Sequence, residues 1–122
     1  MIVRLRLMNS RQVGSTLTVA KSPFVIGRHS ESDLKINSPR VSVFHCSIVT
    51  AENVVLVKDM DSTNGTRVNG EPVTEPRELQ DRDVIWVGPA LIEVTMEEGE
   101  AEDPNASNYS ATNPYLKLSE LE

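Results

Sequence analysis

The chain has 122 residues, of which 39% are hydrophobic and 25% charged, and these proportions are typical of one globular domain with its own core. The formal net charge of −6 at pH 7 is concentrated at one end. Residues 1–96 carry 11 basic and 11 acidic residues, whereas residues 97–122 carry one basic and seven acidic residues. A neutral body lacks the basic surface that nucleic-acid phosphates require, which argues against nucleic acid as the main partner.

The amino-terminal segment is predicted to be a strand and not a targeting signal. Arg4 and Arg6 interrupt the apolar residues of Ile2–Met8, and such an interrupted run is atypical of a signal peptide. No stretch of the chain is apolar for long enough to cross a membrane. Cys46 is the single cysteine, so no internal disulfide can form, which favours a reducing compartment. We therefore expect a cytoplasmic protein without membrane insertion, with Cys46 as a small buried side chain.

The first 96 residues are predicted to form short strands separated by turns. Alternating or β-branched residues predict strands at Ile2–Met8, Thr16–Ala20, Phe24–Ile26, Leu34–Ile36, Phe44–Thr50, Val54–Val57, Val84–Val87 and Leu91–Met96. Asn69-Gly70 is typical of a two-residue hairpin turn between Thr66–Val68 and Glu71–Val73. Phe24 and Trp86 are assigned to the core. Many short strands without a helical period predict an antiparallel sandwich or barrel.

The carboxy-terminal segment differs in composition from the rest of the chain. After Met96, acidic residues are followed by a run rich in Asn, Ser and Ala, which buries too little apolar surface to offset the entropy lost on ordering. We expect one domain over residues 1–97 and an acidic, flexible tail over residues 98–122. The segment Tyr115–Leu121 is more apolar than the rest of the tail. Two interpretations of this segment stay open, one or two helical turns and an extended docking strip.

Four short clusters follow one another along the body of the chain. They are Gly27-Arg28, Ser42-Val43-Phe44-His45, Ser62-Thr63-Asn64-Gly65-Thr66 and Val68-Asn69-Gly70. Their order and spacing over residues 2–96 resemble the FHA (forkhead-associated) domain family. The resemblance implies an all-β, two-sheet antiparallel β-sandwich of the FHA/SMAD type, with about eleven strands and with recognition loops at one end. It also implies a phosphothreonine-dependent protein–protein interaction module of Ser/Thr kinase signalling, without catalysis, cofactor or metal.

The residue types in these clusters suit a phosphorylated ligand. A phosphate on threonine carries close to two negative charges and three acceptor oxygens, so it requires a cation and several donors. Arg28 offers a planar fork for two phosphate oxygens, and Ser42 offers a hydroxyl and a backbone N–H. The resemblance implies that Arg28 and Ser42 contact the phosphate directly, that Thr63 helps to bind it, and that Asn64 bonds the peptide backbone.

Further residues are expected to support the site or to lie at its edge. Gly27 and Gly65 permit a close bend and a tight return of the backbone. The resemblance implies that His45 braces the loops from behind and that Asn69 ties neighbouring loops together. His29 is expected at the periphery, facing solvent.

Val43 departs from the family pattern, in which a polar or basic residue often follows the serine. Its side chain cannot donate to a phosphate, and a missing charge-assisted donor is worth about 1.5–3 kcal/mol. Arg40, on the same predicted loop, can replace that donor in part or bind an acidic residue of the peptide. The departure leaves open an alternative, a phosphate-independent interaction or oligomerisation module of the same fold.

An enzyme is a poor alternative. Neither His29 nor His45 lies in a nucleophile elbow or a similar catalytic motif. Two histidines and one cysteine lack the spacing of zinc ligands, and no Gly-rich nucleotide-binding loop precedes a helix. The sequence therefore predicts a protein that binds and does not catalyse.

Overall fold

The computed structural model of the chain describes residues 1–8 and 16–97. These two ranges contain eleven strands and no helix, and hence no helix that could span a membrane. The strands are β1 (Ile2–Leu7), β2 (Thr16–Thr18), β3 (Phe24–Gly27), β4 (Leu34–Lys35), β5 (Cys46–Ala51), β6 (Val54–Asp59), β7 (Thr66–Val68), β8 (Glu71–Pro72), β9 (Arg77–Glu78), β10 (Val84–Val87) and β11 (Ala90–Glu97). The predicted tail, residues 98–122, lies outside the described residues.

The strands form two sheets, in the orders β2-β1-β11-β10-β7-β8 and β4-β3-β5-β6-β9. The pairings are antiparallel except that of β3 with β4, where Ile26 pairs with Leu34 and Gly27 with Lys35 in parallel. One apolar cluster fills the space between the sheets, with Ile92 from the first sheet and Ile48 from the second among its fully buried members. The predicted two-sheet sandwich is confirmed, and the parallel pair lies at a sheet edge.

The alternating pattern of the strands produces this core directly. Along β10, Ile85 and Val87 are fully buried, and along β6, Val55 and Val57 are buried in the same way, because successive side chains of a strand face opposite sides of a sheet. Phe24 is in the core, as predicted. The predicted burial of the cysteine is also confirmed, and that burial raises the pKa of the Cys46 thiol to about 12.

The assignment of Trp86 to the core was wrong. Its side chain is 40% exposed because it alternates with the two buried residues that flank it on β10. The indole therefore lies on the outer face of the six-stranded sheet. There it is paired across the sheet with Arg67 of β7, and a Cβ placed on Gly70 would lie 3.7 Å from the indole Cη2 atom.

Turns and strand ends differ in how well the sequence predicted them. The Asn69-Gly70 turn is confirmed, since both residues have positive φ, 52° and 88°, and they connect β7 to β8. Strand β9 was not predicted, because its two residues, Arg77 and Glu78, carry no alternation. Strand β5 begins at Cys46, two residues later than predicted, because Phe44 lies in the preceding loop with an exposed side chain.

Two neighbouring substitutions on β10 test this arrangement. Ile85→Ala should lower the free energy of unfolding by about 2–5 kcal/mol, because it leaves a cavity in a closed core. Trp86→Ala should lower it by about 1 kcal/mol or less, because the indole lies on the surface of the sheet. Urea unfolding followed by circular dichroism measures both, and equal losses would contradict the outward orientation of Trp86.

Candidate functional site

Three loops meet at one end of the sandwich, and backbone hydrogen bonds hold the first two together. The Arg28 N–H donates to the Ser42 carbonyl at 2.9 Å, and the His29 N–H donates to the Val43 carbonyl at 3.1 Å. We refer to these segments as the β3–β4 loop (residues 28–33), the β4–β5 loop (residues 36–45) and the β6–β7 loop (residues 60–65).

Side chains connect the β6–β7 loop to the β4–β5 loop. The Thr63 N–H donates to Ser42 Oγ at 2.9 Å, and Asn64 Nδ2 donates to the Arg40 carbonyl at 2.9 Å. The structure thus brings together residues that lie in separate clusters of the sequence, namely Arg28, Ser42, Val43, Thr63 and Asn64, with His29 and Arg40 beside them.

The Arg28 guanidinium is anchored at one of its nitrogens. Its Nε–H donates to the Val41 carbonyl at 2.9 Å, while the residue as a whole is exposed. Among the described residues, no carboxylate oxygen lies within ion-pair distance of Arg28. One donor therefore orients the group, and the two terminal amino groups keep the planar fork that suits a carboxylate or a phosphate.

His45 connects the β4–β5 loop to the β6–β7 loop from inside the domain. It is fully buried; its Nδ1 accepts the Ser42 N–H at 3.0 Å, and its Nε2 lies 2.9 Å from the Gly65 carbonyl oxygen. Because Nδ1 must accept a hydrogen bond, Nε2 carries the hydrogen and donates to Gly65. The two contacts define the neutral Nε2–H tautomer and hold Ser42 and Gly65 at a constant separation.

Close backbone packing explains one of the two glycines next to the site, and the backbone conformation explains the other. A Cβ on Gly27 would collide with the carbonyl oxygen of Val43, so a side chain there would push the β4–β5 loop away from Arg28. Gly65 has φ of +84°, which only glycine adopts readily, and its N–H donates to Ser62 Oγ at 2.9 Å.

The rim of the site is apolar beside Arg28. Val43 and Phe44 are 40% and 45% exposed, and the His29 ring stacks on Phe44 with a centroid separation of 5.1 Å. His29 is only partly exposed as a result. The Val43 side chain supplies no donor. Val43 contributes to the site geometry through its backbone carbonyl, which accepts the His29 N–H.

Asn69 lies at the far end of β7 from Gly65. Its Nδ2 donates to Asp83 Oδ1 at 3.0 Å, and its Oδ1 accepts the Val84 N–H at 3.0 Å. These bonds tie the β7–β8 turn to the loop that precedes β10. Asn69 therefore supports the six-stranded sheet, at a distance from the three loops.

Asp59 organises the β6–β7 loop, and sequence reasoning did not identify it. Its Oδ1 accepts hydrogen bonds from Ser62 Oγ and Thr66 Oγ1, both at 2.6 Å, and its Oδ2 accepts the Ser62 N–H at 3.1 Å. Burial disfavours the charged carboxylate, but these hydrogen bonds outweigh it and lower the pKa of Asp59. The sequence signal that could have identified Asp59 is its spacing from Ser62, an Asp-x-x-Ser pattern ahead of a predicted turn.

A groove of about 250 Å³ adjoins the loops on the side of the six-stranded sheet. We refer to it as the sheet groove. It is lined by Arg40, Asn64, Gly65, Arg67, Trp86 and Gly88. Sequence reasoning connected neither Arg67 nor Trp86 with a site. No group of three or more His, Cys, Asp or Glu residues within the described ranges is arranged to hold a metal ion.

A β-sandwich that presents an anchored arginine, a hydroxyl and an amide on loops at one end has the architecture of a loop-based binding domain. The family model for the FHA domain matches residues 24–88, a range that contains all three loops. This range is more than half of the chain, and the chain belongs to the FHA domain family.

Two curated proteins are similar to part of the chain in sequence. FHA domain-containing protein FhaA of Mycobacterium tuberculosis is 37% identical over 83 residues, which are 68% of this chain and 16% of FhaA. Proliferation marker protein Ki-67 of Homo sapiens is 36% identical over 74 residues, 61% of this chain and 2% of Ki-67. The chain thus spans a small fraction of the curated relatives that it matches.

Two solved structures have the same fold. An FHA domain from a structural and functional analysis of phosphothreonine-dependent FHA domain interactions has a TM-score of 0.74 and 33% identity, covering 81% of this chain and 100% of that chain. The FhaA FHA domain complexed with the intracellular domain of Rv3910 has a TM-score of 0.69 and 35% identity, covering 75% of this chain and 98% of that chain.

The hydrogen bonds of Asp59 predict a specific pH dependence of stability. A carboxylate with a lowered folded-state pKa stabilises the fold above its unfolded-state pKa, about 3.9, and this stabilisation is lost as the pH falls through the folded-state value. Asp59→Asn should therefore cost about 1–2 kcal/mol at pH 7, and less at pH 3. Urea unfolding of both proteins from pH 3 to pH 7 measures the difference. A difference independent of pH would show that the charge of Asp59 does not stabilise the loop.

Proposed function

We propose that this chain binds phosphothreonine in partner proteins of Ser/Thr kinase signalling, and that it acts by binding without catalysis. The observation that carries the proposal is the exposed guanidinium of Arg28, held at Nε and adjoined by donors from two other loops. A phosphate monoester matches this arrangement, because it carries close to two charges and accepts several hydrogen bonds at once.

The hydrogen bonds within the site indicate which groups serve the ligand. Ser42 Oγ accepts the Thr63 N–H, so its own hydroxyl hydrogen can donate to a phosphate oxygen. The Thr63 side chain is exposed next to it. Asn64 uses one amide hydrogen on the Arg40 carbonyl, which leaves its Oδ1 to accept a backbone N–H of the bound peptide. In this assignment Arg28 and Ser42 bind the phosphate, Thr63 assists, and Asn64 orients the peptide.

Membership of the family supports the proposal, since FHA domains are interaction modules. The similar structure with a TM-score of 0.74 comes from work on phosphothreonine-dependent FHA domain interactions, and we extend that dependence to this chain. A cytoplasmic location is part of the proposal and accords with the single cysteine. Under this proposal, residues 1–97 form the binding domain, and residues 98–122 form a separate tail.

The experiment that tests the proposal replaces Arg28. Arg28→Ala should weaken binding of a phosphothreonine peptide by roughly 30- to 140-fold, as expected for a lost charge-assisted fork. Arg28→Lys should recover little of it, because a point charge cannot bind two oxygens in the same plane. Isothermal titration against a degenerate phosphothreonine library, with phosphoserine and unphosphorylated counterparts, measures the affinities.

Arg77→Ala is the matched control, because Arg77 lies outside the three loops, on β9 at the edge of the five-stranded sheet, and its guanidinium pairs with Glu71. It removes one positive charge and should leave affinity unchanged. Normal binding by Arg28→Ala would refute the assigned site. Equal binding of phosphorylated and unphosphorylated peptides would instead support the phosphate-independent interaction module.

Val43 provides a gain-of-function test of the same site. Val43→Arg adds a donor to the loop and should tighten phosphopeptide binding about five- to thirtyfold, with a steeper loss of affinity as salt is added. Val54→Arg is the control, because Val54 is similarly exposed, at 38%, but lies in the β5–β6 hairpin at the opposite end of the domain. No gain from Val43→Arg would indicate that Arg40 already supplies this donor.

A further inference from the structure

The outer face of the five-stranded sheet is mostly aliphatic. The side chains that alternate with the core positions of β3, β5 and β6 face outward, and five of them are aliphatic: Val25, Val49, Ala51, Val54 and Leu56. We refer to these five residues as the aliphatic face. They adjoin one another, because Val49 pairs with Leu56 and Ala51 pairs with Val54 across the hairpin. The solvated face of an antiparallel sheet normally carries polar residues, so this face has the composition of a covered surface.

Exposed charges flank the aliphatic face in a definite order. Lys35 and Lys58 lie toward the three loops, because they are at the ends of β4 and β6 that adjoin these loops. Glu52 lies in the β5–β6 turn at the opposite end, and Glu78 lies on β9 between the two ends. Among the described residues, no oppositely charged group lies within 4.0 Å of these four side chains. The face therefore has unpaired cations at one end and an unpaired anion at the other.

The segment Tyr115–Glu122 lies outside the described residues, and its sequence is complementary to this surface. Four of its eight residues are large and apolar, namely Tyr115, Leu116, Leu118 and Leu121. Its charged residues are one cation, Lys117, followed by two anions, Glu120 and Glu122. The segment thus offers apolar side chains to an aliphatic face and opposite charges in a fixed order.

The connection from β11 to this segment has a suitable origin and length. Strand β11 begins beside the loops, where a Cβ on Gly88 would collide with the Val41 side chain. It therefore ends, at Glu97, at the same end of the sandwich as the β5–β6 turn. Residues 98–114 make a connection of 17 residues, which can span up to about 60 Å. Packed sheets lie only about 10 Å apart, so the segment can reach the aliphatic face of its own domain.

The direction and the spacing of the charges also agree. A segment that enters from the β5–β6 turn passes Glu52 first and reaches Lys58 last, which is the order in which Lys117 precedes the two acidic residues. Lys58 lies about 13 Å along β6 from the first residue of that strand. In an extended segment, the acidic residues lie about 10–17 Å beyond Lys117. One placement can therefore satisfy both ends of the face.

We propose that the segment Tyr115–Glu122 docks in extended form on the aliphatic face of its own domain. Lys117 lies toward the β5–β6 turn, and the two acidic residues lie toward Lys58. The apolar contacts supply most of the stabilisation, because exposed ion pairs contribute little in water, and the charges determine the direction. Tethering gives the segment a millimolar effective concentration, so weak contacts are sufficient.

A spin label next to the segment tests the docking in the intact chain. Asn113→Cys introduces one reactive thiol, because the Cys46 thiol is buried and its pKa is raised to about 12. The label should reduce the NMR signals of Val49 and Leu56 to less than about half of their intensity in the sample with reduced label. Signals from the outer face of the six-stranded sheet, such as that of Val84, should keep most of their intensity. Equal broadening on the two faces would overturn the proposal.

Substitutions within the segment test the apolar contacts. Leu116→Ser combined with Leu118→Ser should remove the difference in broadening between the two faces, because these side chains supply the buried apolar surface. Circular dichroism checks that the domain stays folded. A difference that persists in this variant would show that the segment does not dock through its leucines.

Charge reversal tests the direction of docking. Lys58→Glu should lower the docking equilibrium constant about two- to fivefold, and Glu120→Lys with Glu122→Lys should restore docking in that protein. Arg82→Glu is the charge-matched control, because Arg82 is 75% exposed and lies beside β11 of the other sheet, and it should leave the broadening unchanged. Failure of the paired reversal to restore docking would overturn the placement of the acidic residues.

A mixed sample identifies the occupant of the aliphatic face. Spin-labelled protein without isotopes is mixed with isotope-labelled protein that carries no spin label. Docking within one chain predicts no broadening of the aliphatic face in this mixture. Broadening there would show that the segment docks on a second copy, which would overturn docking on its own domain. Phosphopeptide titration tests the proposed function separately, since the aliphatic face lies outside the phosphate site and either proposal can fail without the other.

Discussion

The arrangement of the three loops depends on the two hydrogen bonds of one buried imidazole. His45 accepts from the Ser42 N–H and donates to the Gly65 carbonyl, so it fixes the β4–β5 and β6–β7 loops relative to each other. Ser42 then transmits this position outward, because its carbonyl accepts the Arg28 N–H and its hydroxyl oxygen accepts the Thr63 N–H. The imidazole is fully buried, where an unpaired donor or acceptor would be costly. The interior of the domain thereby determines the positions of groups that face solvent.

Asp59 extends this control to the β6–β7 loop from the end of β6. It accepts hydrogen bonds from Ser62 and Thr66, the residues that flank the exposed turn, while the Met60 N–H donates to the His45 carbonyl. The loop therefore has few alternative conformations before a ligand arrives. Ordering a loop on binding costs free energy, and a loop that is already ordered avoids much of that cost. A short peptide can then bind through few contacts, provided that those contacts include a charged one.

The sequence predicted the sandwich well because strand alternation is a local property. The positions of Ile85 and Val87 predict a half-buried strand from the local sequence alone, without information about the other sheet. Trp86 was misplaced for a related reason: its size and apolarity favour burial, but its parity on β10 places it outside. Asp59 and Arg67 were missed because an isolated charge in a strand is typical of a solvated face. Asp59 and Arg67 contact residues that the fold brings together, and no local sequence pattern predicts those contacts.

Charge placement separates the two demands on a recognition site, which are to hold a phosphate and to reject most phosphorylated segments. Residues 1–96 carry equal numbers of basic and acidic residues, so an acidic ligand gains affinity where guanidinium groups lie within a Debye length of its own charges, about 8 Å at physiological salt. In the proposed function Arg28 meets that condition for the phosphate, while Arg40 and Arg67 line the adjoining sheet groove. Selectivity among phosphorylated segments therefore depends on where the unpaired arginines lie as much as on how strongly each of them binds.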